Sequence, residues 1–132
     1  MKYAVEAAIQ QARAGGITYP QFVQLLIDAG ITSYHVDVAS HAISFRCGAD
    51  EIHAERGAPT AQPRVKPAPF SKDGLIAAIW ENQMGKSTHP VFLRQIWAAG
   101  VTTYDVDVTG RMITYRGTRG ETHTERIAQP ST

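Results

Sequence analysis

The chain shows two kinds of hydrophobic pattern, one after the other, and then shows both again. Val5, Ala8, Ile9 and Ala12 recur at helical spacing, as do Leu75, Ile79 and Trp80, so each half opens with a predicted helix. Ser71 is placed to cap the second of these helices, while Gly15-Gly16 and Gly85 are placed to end them. A shorter helix follows in each half. Thr18 and Thr88 sit where N-caps belong, and Pro20 and Pro90 fall in the first turn, where a missing N–H costs little. Phe22, Leu25 and Leu26 form its apolar face in the first half, and Phe92, Ile96 and Trp97 in the second. Gly30 and Gly100 are expected to stop it in a left-handed cap.

The pattern then changes to period two. Residues 34–38 (Tyr-His-Val-Asp-Val) and 104–108 (Tyr-Asp-Val-Asp-Val) alternate apolar and polar, which predicts half-buried strands. Tight turns are expected at Ser40-His41 and Gly110-Arg111, and the glycine leading the second suits a type II′ hairpin. Returning strands run over Ala42–Arg46 and Met112–Arg116, and glycine-containing turns lead to third strands at Glu51–Glu55 and Glu121–Glu125. Each half thus reads helix–helix–strand–strand–strand, an α+β class with antiparallel sheets packed on helices.

The recurrence extends to individual residues. Set against each other without a gap, 19–56 and 89–126 are identical at 15 of 38 positions, a self-similarity that points to tandem duplication. The expected organisation is a first repeat over 1–57, a Pro-rich linker over 58–70 and a second repeat over 71–132. Four prolines between 57 and 70 favour an extended connector, which at ~3.1 Å per residue reaches roughly 40 Å. Neither repeat is large enough for a sizeable core of its own. The two are therefore expected to pack about an approximate two-fold axis, as helix faces on sheets or as one continuous sheet.

Two-residue turns in the first hairpins would place Tyr34, Val36, Val38, Ile43 and Phe45 on one sheet face, and Tyr104, Val106, Val108, Ile113 and Tyr115 on its counterpart. Four-residue turns in the second hairpins would give the opposite face polar rows: Asp37–Ser44–His53 and His35–Arg46–Glu51, then Asp107–Thr114–His123 and Asp105–Arg116–Glu121. A slip by one residue in any strand would reverse that strand's assignment.

Composition adds mostly exclusions. Hydrophobic residues make up 43% and charged residues 19%, as in a globular protein. A formal charge of +1 leaves no nucleic-acid signature. No apolar run reaches the ~20 residues that span a bilayer, and the N-terminal residues lack the apolar core of a secretory signal. Cys47 is the only cysteine and cannot form an intrachain disulfide. A cytoplasmic protein is expected.

Several segments resemble a known family: Tyr19-Pro20-Gln21-Phe22, Ala29-Gly30-Ile31 and Tyr34-His35-Val36-Asp37, then Ala99-Gly100-Val101, Tyr104-Asp105-Val106-Asp107 and Gly120-Glu121-Thr122-His123. Together they resemble the YbcV/YdfO-like family of uncharacterised bacterial and prophage proteins, often labelled phage envelope protein-like. The resemblance covers nearly the whole chain in its two-copy layout. It implies a small α+β fold, an unknown activity and no catalytic residues to carry over. Ser44-Phe45 departs from the family's Thr-Tyr pair, which Thr114-Tyr115 retains.

The polar residues common to both halves are the first candidates for chemistry. Asp37, Glu51, His53 and Glu55, with Asp107, Glu121, His123 and Glu125, offer imidazole and carboxylate donors for a ligand or a divalent ion. A salt-bridged sheet face is the competing and simpler reading. Arg46 and Arg116 are candidates for such bridges, and Tyr34 and Tyr104 for a pocket wall or the core. A Ser44–His53–Asp37 triad is disfavoured because the serine, not the histidine, would lie in the middle. His35, His41 and His89 occur in one half only and read as surface or turn residues. No cofactor is required.

The preferred function is a non-enzymatic binding or interaction module with a pseudo-two-fold cleft between repeats, taking an unknown protein or small molecule. A metal-dependent protein or enzyme and a prophage-derived regulator of a host protein are the alternatives. A free sheet edge would allow a homodimer.

Overall fold

A computed structural model describes residues 2–14, 17–57, 59, 66–84, 86 and 89–127. The stops expected at Gly15-Gly16 and Gly85, the Thr88 cap and linker positions 58 and 60–65 lie outside the described residues. The chain is α+β, in the order α1 (Lys2–Ala14), α2 (Tyr19–Asp28), β1 (Ser33–Asp37), β2 (Ala42–Cys47), β3 (Asp50–Arg56), α3 (Lys72–Gln83), α4 (His89–Ala98), β4 (Thr103–Asp107), β5 (Met112–Arg116) and β6 (Thr122–Arg126).

Local signals account for the helix ends. The Thr18 hydroxyl accepts from the Gln21 backbone N–H at 3.2 Å, and the Gln21 side chain accepts from the Thr18 N–H at 2.7 Å, closing a reciprocal capping box on α2. Ser71 caps α3 by accepting from the Gly74 N–H at 3.1 Å. Gly30 and Gly100 follow α2 and α4 with φ of 89° and 90°, the left-handed stop that a Cβ disfavours.

All six strands form one antiparallel sheet, in the order β3-β2-β1-β4-β5-β6. The halves therefore join edge to edge at β1 and β4. Ser33 lies opposite Asp107, His35 opposite Asp105 and Asp37 opposite Thr103, so an approximate two-fold axis passes between His35 and Asp105. Helix residues such as Val5, Val23, Leu26, Leu75, Leu93 and Ile96 bury one face of this sheet, where Tyr34, Val36, Val38, Phe45, Tyr104, Val106, Val108 and Tyr115 are also buried. The other face, with His35, Ser44, Thr114 and Thr124, is left open, as antiparallel sheets allow. Trp80, expected on the apolar face of α3, is instead half exposed, with Lys86 Nζ 5.1 Å from its ring centroid.

Both hairpin registers differ from the two- and four-residue turns expected. In the first hairpins Val36 pairs with Ile43, and Val106 with Ile113, which makes the turns four residues long. The reason is the aspartate that ends each leading strand. Asp37 accepts from the Ser40 backbone N–H at 3.1 Å, and Asp107 from the Gly110 N–H at 3.0 Å. The left-handed residues are His41 (φ 59°) and Arg111 (φ 53°), so no type II′ turn begins at Gly110. This shift is by two residues, and the apolar face is unchanged.

The second hairpins shift by one, and that reverses a face. Phe45 pairs with His53 and Ile43 with Glu55; Tyr115 pairs with His123 and Ile113 with Glu125. In the second half the loop between β5 and β6 has grown to five residues. In the first half a two-residue turn is followed by a register shift between Phe45 and Arg46, which leads to the same pairing. His53, Glu55, His123 and Glu125 therefore lie on the helix side, not in the polar rows. Inward-pointing charges on β3 and β6 suit their place at the sheet's two edges, where they discourage pairing with another chain.

Candidate functional site

On the helix side, a cleft of about 630 Å³ opens across the line where the halves meet. From the first half it takes Ile9, Tyr19, Phe22, Tyr34, Phe45 and Glu55, and from the second Asn82, His89, Pro90 and Tyr104. Positions 19 and 89, and likewise 34 and 104, each contribute both of their occupants, as positions near a two-fold axis do.

Aromatic rings make up much of the wall. Tyr34 and Phe45 face each other across β1 and β2 with centroids 5.2 Å apart, and Tyr104 and Tyr115 repeat the pair at 5.3 Å. Tyr19 reaches from the start of α2 and shares a hydrogen bond between its hydroxyl and that of Tyr34. Burial pushes the ionisation of Tyr19, Tyr34, Tyr104 and Tyr115 well above the usual phenol range, so all four remain protonated. Tyr19 still has 36% of its surface open to water. The two facts agree for a residue lining a concave wall, where solvent touches the ring but protein surrounds it.

His41 and His89 stand together with ring centroids 5.2 Å apart. Burial first, and the neighbouring His41 second, lower the His89 pKa to about 4, so its imidazole is neutral near pH 7. Gly57 permits this arrangement: a Cβ there would lie 2.2 Å from His41 Nδ1.

The residues singled out from sequence fall into four groups. Tyr34, Tyr104 and Glu55 line the cleft. His53 stands beside it, with Nε2 2.9 Å from Glu55 and Nδ1 3.7 Å from Glu6 of α1; its side chain is 10% exposed and that of Glu55 18%. His123 and Glu125 form the corresponding pair at 2.7 Å. Asp37 and Asp107 are held in their turns, and Glu121 closes the β5–β6 loop by accepting from the Arg119 N–H at 2.8 Å.

The fourth group belongs to the open face. Glu51 lies opposite Arg46, whose Nη1 donates to the Ala49 carbonyl at 3.3 Å. Arg116 donates to Asp105 at 3.3 Å, and Asp105 also meets His35 at 2.7 Å. The expected neighbours Asp37 and His53 are on opposite sides of the sheet's pairing scheme and do not converge. Among the described residues no three His, Cys, Asp or Glu side chains come together to hold a metal ion. Nor is any helix among them long and apolar enough to cross a membrane.

Sequence reading missed Tyr19, His41 and His89. The latter two looked like turn or surface residues because nothing local brings them together. Their meeting depends on the β1–β4 junction, which places the start of α4 over the first half's turn.

No protein-family profile matches the chain. Over 74 residues it is 30% identical to the uncharacterized protein Rv2012 of Mycobacterium tuberculosis (strain H37Rv) and to the uncharacterized protein Mb2035 of Mycobacterium bovis. The match takes in 56% of this chain and 45% of each relative, so the chain spans about half the length of the curated relatives it matches.

Proposed function

We propose that the protein is a non-enzymatic binding module whose small-molecule ligand occupies the cleft between its halves. The observation that carries this reading is the cleft's size and lining: about 630 Å³, largely apolar, with a few inward polar groups. Ligand sites commonly occupy ~300–1,000 Å³ and have that composition. The lining favours binding over catalysis. Among the described residues that line it, the phenols are held protonated, the one hydroxyl outside the tyrosines, Thr18, caps α2, and no cysteine or serine faces a base.

The duplicated His53–Glu55 and His123–Glu125 pairs support the metal-dependent alternative. Among the described residues, however, no three such donors converge, and even a catalytic zinc site uses three protein ligands. Membership of the YbcV/YdfO-like family, an origin by tandem duplication and a place in the cytoplasm belong to the same proposal and rest on the sequence pattern. Partnership with a host protein, or with a second copy through β3 or β6, rests on less.

Titration with the neutral dye N-phenyl-1-naphthylamine tests the binding reading. Saturable one-to-one fluorescence enhancement is expected, and Ile43→Trp, which fills the cleft wall, is expected to abolish it with the thermal transition retained. Folded wild-type protein that gives no saturable signal would sink the proposal.

A further inference from the structure

The two-fold correspondence of the cleft breaks at one place, and the break leaves a hydrogen-bond donor unpaired. Tyr34 and Tyr104 hold matching positions in β1 and β4, and both are buried, Tyr104 with 4% of its surface exposed. The hydroxyl of Tyr34 shares a hydrogen bond with that of Tyr19. Position 89 corresponds to position 19, but its histidine stands against His41, with ring centroids 5.2 Å apart. Tyr104 therefore lacks the partner that Tyr34 has. Burial, then the nearby Tyr19 and Tyr115, keep its phenol protonated, and its O–H bonds no described residue. Nor is this hydroxyl sealed in. Among the described residues the enclosed side-chain atom without a hydrogen-bond partner is Oε1 of Gln95, so the Tyr104 hydroxyl reaches open space, and the space against this residue is the cleft.

The chemistry of the group then says what fits. A protonated phenol is a good donor, and an apolar, low-dielectric wall strengthens the bond it gives. A ligand with an acceptor oxygen at that point takes up the O–H. A ligand without one covers the O–H and leaves it unpaired, which is how a site rejects an analogue that lacks one polar atom.

We propose that the cleft selects apolar molecules that carry a carbonyl oxygen, which accepts a hydrogen bond from the Tyr104 hydroxyl. The proposal rests on the binding reading above, and its test separates the two. Benzophenone and 1,1-diphenylethylene have nearly the same shape and differ in C=O against C=CH2. Each is titrated into the intact protein carrying the naphthylamine dye, and displacement of the dye reads its affinity. Tyr104→Phe removes the donor and little volume. It is expected to weaken benzophenone about fivefold to tenfold and to leave the hydrocarbon within about twofold. Tyr115→Phe, which alters the ring beside Tyr104 and is not among the described residues that line the cleft, should leave both unchanged. The carbonyl stretch of bound benzophenone, read by isotope-edited infrared difference, should lie below its position in hexane on the unaltered protein and return toward it on the Tyr104→Phe variant.

Equal losses for both probes, no loss for benzophenone, or failure of benzophenone to displace the dye would overturn the carbonyl proposal and leave a binding cleft in place. Absence of saturable dye binding would overturn both. Should Tyr104→Phe not fold, the infrared band on the unaltered protein decides: a carbonyl stretch at its hexane position would overturn the proposal.

Discussion

Gly48 and Gly100 show how one backbone conformation can carry two different costs. Both are left-handed, at φ 61° and 90°. A Cβ on Gly48 would meet nothing within 4 Å, whereas one on Gly100 would lie 2.5 Å from Phe70 Cα and 2.6 Å from the Pro69 carbonyl oxygen. Gly48→Ala is expected to cost about 1–2 kcal/mol, the ordinary penalty for that backbone region. Gly100→Ala must also move backbone against backbone and should cost clearly more, read as the larger drop in urea midpoint at unchanged slope. The Gly100 stop was legible in sequence because caps and left-handed glycines depend on neighbours a few positions away. That it is also where the segment before α3 crosses was not legible, since the approach of Phe70 is a tertiary contact.

At the scale of elements, helix positions and strand identities followed from periodicity, and the faces of β3 and β6 did not. Period two fixes which residues share a side of their own strand, but the parity between strands depends on one residue of turn length. Residues 117–121 form a loop one residue longer than expected, and that residue turned His123 and Glu125 toward the helices. In the first half the register shift between Phe45 and Arg46 has the same effect, so the polar set common to both halves is split: Glu55 lines the cleft, Asp37 and Asp107 are held in the first hairpin turns, and Glu51 keeps its place opposite Arg46 on the open face. A pair of substitutions checks the assignment. Thr124→Asp, on the exposed side of β6, should change stability by no more than about 0.5 kcal/mol. His123→Asp places a second carboxylate beside Glu125 at a position only 14% exposed, and should cost on the order of 2 kcal/mol by chemical denaturation. The reverse order of effects would mean that β6 presents its other face.

For the molecule as a whole, the decisive contact is the β1–β4 junction. It makes one sheet of two small ones, and it lets each half contribute to the cleft. At its centre the halves differ where they meet, His35 against Asp105 at 2.7 Å. Two copies of the first half would set His35 against His35, and two of the second Asp105 against Asp105, so the chain's own pairing alone gains an imidazole–carboxylate hydrogen bond. A fragment of residues 1–57 would expose β1 as an edge, with Tyr34 and Val36 uncovered. It is expected to show no cooperative thermal transition as a monomer in calorimetry. A monomeric, cooperatively melting fragment would show that each half holds a sufficient core of its own.

The same junction also imposes an order of events during synthesis. His35 and Asp105 are partners separated by 70 positions in the chain. At ~5–20 residues per second, β4 leaves the ribosome about 4–14 s after β1. Hairpins close in ~1–10 μs, so β1, β2 and β3 have ample time to pair before their central neighbour exists. The strand that ends up in the middle of the sheet therefore begins as an unpaired edge. Until β4 arrives, the nascent chain depends on the polar side of β1, and on whatever receives it at the exit of the ribosome, to avoid pairing with a stranger.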